Sequence, residues 1–201
     1  MLKTRADAFA DAASLPFDPV AISRVVFPDF MRDCVETRSA YHESGHAIMA
    51  MLLNGRIDLL TIEPDEDDET LPDRSGEIRV IWPSDTWTDK ELAIREIQVS
   101  LAGPIVEMIH DGNQDSPELL EEWKYDWALA SERVLEFLPK TKPASEHLGR
   151  FIFDLMSFFE RDEVWAAVAA LADQLEAHLT LEQEDIEEVL EAWPIEGFEF
   201  D

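Results

Sequence analysis

The stretch AYHESGHAIMA, residues 40–50, places His42 and His46 four apart with Glu43 directly after the first histidine. In an α-helix, residues four apart sit one turn apart on one face, so two imidazoles can converge on a single ion. Zinc takes imidazole nitrogen at about 2.0–2.1 Å and favours four ligands in a tetrahedron. Glu43 is turned about 100° from His42 around the helix axis. From there its carboxylate can reach water at an open metal position without ligating. Zinc brings the pKa of water toward ~7, so Glu43 can act as general base near neutrality. The ion then has two protein ligands and lacks a third.

The helix that carries the motif is apolar from Ala47 to Leu53, and His42, His46, Met49 and Leu53 share one stripe. Two neutral histidines and a carboxylate on a buried helix need partners, and a metal ion supplies them. A glycine and third histidine after the motif would mark a metzincin, but Met49 and Leu52 occupy those positions. A glutamate ligand soon after the helix would fall between Glu63 and Glu69, in a strand end and an acidic loop unsuited to rigid ligation. Asp126 is better placed. It lies in EEWKYDWALASERV at the edge of the apolar stripe formed by Leu120, Trp123, Trp127, Ala130, Val134 and Leu138. From the residues alone two readings stand: Asp126 ligates the metal, or it pairs with Lys124 or Arg133 at a solvated edge.

The elements that must hold these groups are mostly helical. Residues 1–38, with Pro16, Pro19 and Pro28, read as an irregular or weakly helical lead-in, and residues 39–201 as one domain. The motif helix spans Ser39 to Leu53 and stops at Asn54-Gly55, where positive φ is tolerated. IDLLTIE (57–63) and GEIRVIW (76–82) read as strands of a hairpin whose loop is PDEDDETLPDRS. Helices follow over 89–111, with a kink expected at Gly103-Pro104, and over 117–138, ended by Pro139 and Pro143. Three more are expected near 145–160, 163–179 and 181–193, the last capped by Thr180 with Gln183 as a capping box. The fold class is mainly α with one small β-hairpin (α+β).

Composition narrows the function. Of 201 residues, 46% are hydrophobic, enough for one core, and 45 acids against 16 bases give a net charge of −29. Such a chain repels nucleic acid and anionic membrane surfaces. Cys34 is the only cysteine, which excludes an internal disulfide and a thiolate zinc cluster. No continuous apolar h-region opens the chain and no apolar run approaches the ~20 residues of a membrane span, so the expectation is a cytoplasmic protein without a membrane anchor. The acidic segment lacks the glycine and spacing of a calcium loop. His110, His147 and His178 stand alone and read as surface or packing residues.

Four segments taken together resemble the peptidase domain of the FtsH family of zinc proteases: AYHESGHAIMA, LLTIEP, SLAGPIVEMI with Glu107, and YDWALASERV. The resemblance runs over roughly residues 38–193. It implies an FtsH-peptidase-like zincin domain with Zn2+ held by His42, His46 and Asp126, and Glu43 as general base. It departs from the family at Pro104, at Lys124-Tyr125 and in the acidic loop, which alters the substrate groove. No Gly-x-x-x-x-Gly-Lys-[Ser/Thr] phosphate loop occurs in the 201 residues. The expected activity is therefore an ATP-independent metallopeptidase acting on peptides or unfolded protein, taken directly or from a separate unfoldase. The alternative is a metal-binding interaction or regulatory module on the same fold.

Overall fold

The computed structural model describes residues 28–63, 76–83, 86–112 and 123–196, with side chains from residue 36 onward. Among these residues are six helices and a three-stranded sheet. The loop 64–75 and the lead-in 1–27 lie outside them, as do Leu120 and the start of the expected helix over 117–138.

Helix α1, Pro28–Leu52, is the axis of the fold. It begins eleven residues before the expected Ser39. Pro28 does not break it, because the first turn needs no N–H from that residue and proline's fixed φ already suits a helix. The lead-in, expected to be irregular or weakly helical, is helical from Pro28, and the backbone runs unbroken through residue 38. Ala40 and His42 to Ala50 are all buried, so this part of the helix is enclosed on every side. Asn54, at φ 62°, ends it. The Asn54 N–H bonds Met51 O at 3.0 Å and the Gly55 N–H bonds Ala50 O at 2.8 Å, the paired closure of a Schellman motif.

Strands β1 (Arg56–Thr61) and β2 (Glu77–Ile81) pair antiparallel, from Arg56 opposite Ile81 to Thr61 opposite Glu77. The register slips between Ile57 and Leu59. That irregularity lets Ile57 and Leu60, three apart, both face the core, which strict alternation forbids. A third strand, β3 (Thr180–Leu181), pairs with the other edge of β1, giving the order β2-β1-β3. The hairpin expectation missed it, since two residues carry no alternation. Thr180 is thus a strand residue and not a helix cap. The last helix, α6 (Gln183–Ala192), is capped by Glu182 with Asp185 in a capping box.

Helix α2 (Asp89–Asp111) starts at a capping box in which the Thr88 N–H bonds Glu91 Oε2 at 2.8 Å and the Glu91 N–H returns to Thr88 Oγ1. It runs without a break in sequence through Pro104. An interior proline costs a helix about 3 kcal/mol or more, and burial of Gln98 to Met108 supplies the packing that holds the helix together. Helices α1 and α2 cross closely at Gly45, where a Cβ would stand 2.7 Å from Ala102 O and 2.8 Å from Val106 Cγ2. Helix α3 (Lys124–Phe137) packs on α2 with Ala130 and Val134 buried, and Arg133 Nε meets Glu96 Oε2 of α2 at 2.6 Å. Helices α4 (Ala144–Phe159) and α5 (Asp162–His178) complete the core, α4 against α2 and α5 against α1. Among the described residues no helix is long and apolar enough to cross a membrane.

Candidate metal centre

Helix α1 presents His42 and His46 from consecutive turns, with ring centroids 4.7 Å apart and planes at 76°. Their Nε2 atoms are 3.0 Å apart. The first turn of α3 brings Asp126 to them, Oδ2 at 3.2 Å from His42 Nε2 and Oδ1 at 3.7 Å from His46 Nε2. The three residues are 3, 3 and 6% exposed, so water cannot screen them freely. Among the described residues, no other group of three or more His, Cys, Asp or Glu side chains converges in this way.

Helix α2 decides which ring nitrogens carry protons. His46 Nδ1 lies 2.6 Å from the Val99 carbonyl oxygen. A carbonyl only accepts, so His46 Nδ1 is the N–H. His42 Nδ1 lies 2.9 Å from Glu107 Oε2. Burial raises the Glu107 carboxyl, but hydrogen bonds from His42 and Trp123 and the Arg38 guanidinium outweigh it and hold the group below the usual carboxylate range. Glu107 is therefore an acceptor, and His42 Nδ1 is also an N–H. In the neutral rings both Nε2 atoms are lone pairs, aimed at each other and at a carboxylate.

Three electron-rich atoms in a dry space repel unless a cation lies among them. Two nitrogens bound to a tetrahedral zinc at 2.0–2.1 Å would stand about 3.3 Å apart, and the 3.0, 3.2 and 3.7 Å separations here bracket that value. The donor set of two imidazoles and one carboxylate, each imidazole oriented by an acceptor on its far nitrogen, suits a divalent zinc with one ligand position left over.

Close backbone contact holds two of these side chains in place. A Cβ on Gly103 would lie 2.3 Å from His46 Nε2, so only glycine lets α2 press against that ring. A Cβ on Gly76, just before β2, would lie 2.5 Å from Glu43 Oε1. Glu43, 2% exposed, thus meets the start of β2. Gly45 and Gly103 place α2 close enough to α1 for Val99 and Glu107 to reach the two rings.

His42, His46 and Asp126 come together as the sequence suggested, and Glu43 is buried beside them on α1. Arg133 pairs with Glu96 and with Glu136 (3.5 Å), while Lys124 is exposed. Glu63 is also exposed, and residues 64–69 lie outside the described set. His110 stacks on Tyr41 at 3.9 Å, and His147 contacts the Pro139 carbonyl. The partners of Glu107 were not anticipated: Arg38 Nη2 at 2.5 Å from Oε1 and Trp123 Nε1 at 2.8 Å from Oε2, with Arg38 also pairing with Asp111 at 2.9 Å. The available signal was an acid inside the apolar run LAGPIVEMI, one turn beyond Gly103. No protein-family model matches the chain, and no curated protein matches it.

Proposed function

We propose that the protein is a zinc-dependent, ATP-independent metallopeptidase of the FtsH-peptidase type, acting in the cytoplasm on peptides or unfolded protein segments. One observation carries this reading: two imidazoles with their protons fixed on the far nitrogens, and a carboxylate, converge on one buried point. A zinc ion there supplies Lewis acidity and makes water acidic enough to lose a proton near neutral pH. His42, His46 and Asp126 hold the ion, and Val99 O and Glu107 keep the two rings turned toward it. Glu43 accepts the proton of the attacking water and passes it to the amine leaving the peptide bond.

The sheet supports a peptide as substrate. Strand β2 pairs with β1 on one side, and among the described residues its other edge is unpaired. Its first residue follows Gly76, which lies against Glu43. An extended segment added to that edge by main-chain hydrogen bonds would run past the general base. The single cysteine and the absence of a disulfide fit a reducing compartment.

The test is cleavage of unfolded casein by zinc-loaded wild type and Glu43→Gln, with zinc content measured on both. The expected result is turnover by wild type and a loss of about 10²–10⁴-fold in the variant with zinc retained, the usual worth of a general base. A zinc-loaded wild type without turnover would make the chain a metal-binding interaction module instead.

A further inference from the structure

One oxygen of Glu107 serves both the metal-site ligand His42 and the residue that opens α3. Its Oε2 accepts the His42 Nδ1–H at 2.9 Å and the Trp123 Nε1–H at 2.8 Å. Trp123 is 2% exposed and stands immediately before α3, three residues ahead of Asp126. Its backbone, at φ −97° and ψ 4°, is the turn into the helix, and its side chain makes no capping bond. The indole N–H is thus turned away from its own helix and spent on α2.

Further ties between α3 and α2 lie along the body of the helix. Ala130 is buried one turn beyond Asp126 and Val134 two turns beyond, and between them Arg133 meets Glu96 of α2. They fix the body of α3. A first turn has free N–H groups and frays unless something anchors it. Asp126 is in that first turn.

We infer that Trp123 is a positioning residue for the metal centre: its indole N–H, hydrogen-bonded to Glu107, fixes the first turn of α3 so that Asp126 reaches His42 and His46. The same Glu107 oxygen orients the His42 ring, so a ligand from α1 and a ligand from α3 are set against one buried anion. Arg38, on the other Glu107 oxygen at 2.5 Å, holds that anion in place. The inference rests on the metal-centre reading and adds a residue that spacing rules do not pick out.

The test uses Trp123→Phe, which keeps an aromatic ring and removes the N–H. Zinc affinity is read by competition with a chromophoric chelator, and coordination by the visible spectrum of the cobalt-loaded protein, for wild type, Trp123→Phe, Asp126→Ala and the double variant. The expected result is a zinc affinity about 10–100-fold weaker in Trp123→Phe, the range for losing an outer partner of a ligand. Its cobalt spectrum should move toward that of Asp126→Ala, and Trp123→Phe should add less than about twofold in the Asp126→Ala background. If Trp123→Phe fails to fold, benzothienylalanine at position 123 removes the N–H at constant shape. An unchanged affinity and cobalt spectrum would overturn the inference, and so would an equal loss in the Asp126→Ala background. A wild type that binds no zinc would overturn the metal-centre reading and this inference with it.

Discussion

Replacing Gly103 by alanine tests how tightly α2 is fitted to the metal site. The new Cβ would lie 2.3 Å from His46 Nε2, 2.6 Å from Cε1 and 2.7 Å from Cδ2. Ordinary contact begins near 3.4 Å, so the ring or the helix must give by about 1 Å. The ring cannot slide freely, because its Nδ1–H is held on Val99 O at 2.6 Å and both residues are buried. Overpacking costs about 1–3 kcal/mol, and loss of the buried hydrogen bond about 0.5–1.5 kcal/mol. Removing a helix-interior glycine returns about 0.5–1 kcal/mol. The metal-free protein should therefore lose about 0.5–4 kcal/mol. Ligand distances tolerate only about ±0.2 Å, so zinc should bind at least ~100-fold more weakly. Urea unfolding followed by circular dichroism, with and without zinc, reads both effects. Gly149→Ala is the control: nothing lies within 4 Å of its added Cβ, and it should stabilise by about 0.5–1 kcal/mol. If Gly103→Ala is as stable as wild type and binds zinc within twofold, the packing argument is wrong.

Gly76→Ala should act on Glu43 and spare the metal. The methyl meets Glu43 Oε1 at 2.5 Å and Cγ at 2.8 Å, so the variant should lose turnover and about 1–3 kcal/mol of stability while keeping its zinc. That stability cost should largely vanish in a Glu43→Ala background, where the crowded atoms are gone, and a cost that persists there would disprove the contact. At the start of α2, the Thr88 N–H and hydroxyl hold the Glu91 carboxyl below its usual range. A depressed carboxyl stabilises the fold above its unfolded pKa of ~4.3 and loses that contribution as pH falls through the folded value. The difference in urea midpoint between wild type and Glu91→Gln should therefore be full at pH 7 and close toward pH 3, and a constant difference would contradict the capping role.

The sequence shows local chemistry well and long-range contact poorly. His42, Glu43 and His46 are legible because the helix repeat alone puts the two imidazoles together. Asp126 was legible as an acid at a stripe edge, but only the fold brings its carboxylate to 3.2 and 3.7 Å from the two imidazoles. Glu107 and Val99 O contact residues 65 and 53 positions away, and no periodicity encodes that. The helix bodies followed from apolar spacing. Their ends differ from expectation where one residue type serves two purposes, as with Pro28, placed in an irregular or weakly helical lead-in yet the first residue of α1, and Thr180, read as a cap yet paired in β3. The signature Thr-x-x-Glu at Thr88–Glu91 was present in the sequence as a helix start. The slip in β1 register could not be read, because it appears only as two core residues three apart.

Zinc content per chain, measured by elemental analysis after dialysis in wild type, His46→Ala and Asp126→Ala, addresses the central claim with no assumption about substrate. The account predicts about one zinc per chain in wild type and nearly none in either variant under the same dialysis, since each removes one of only three protein ligands. Equal zinc in all three proteins, or a folded wild type that takes up none when zinc is supplied, would contradict it.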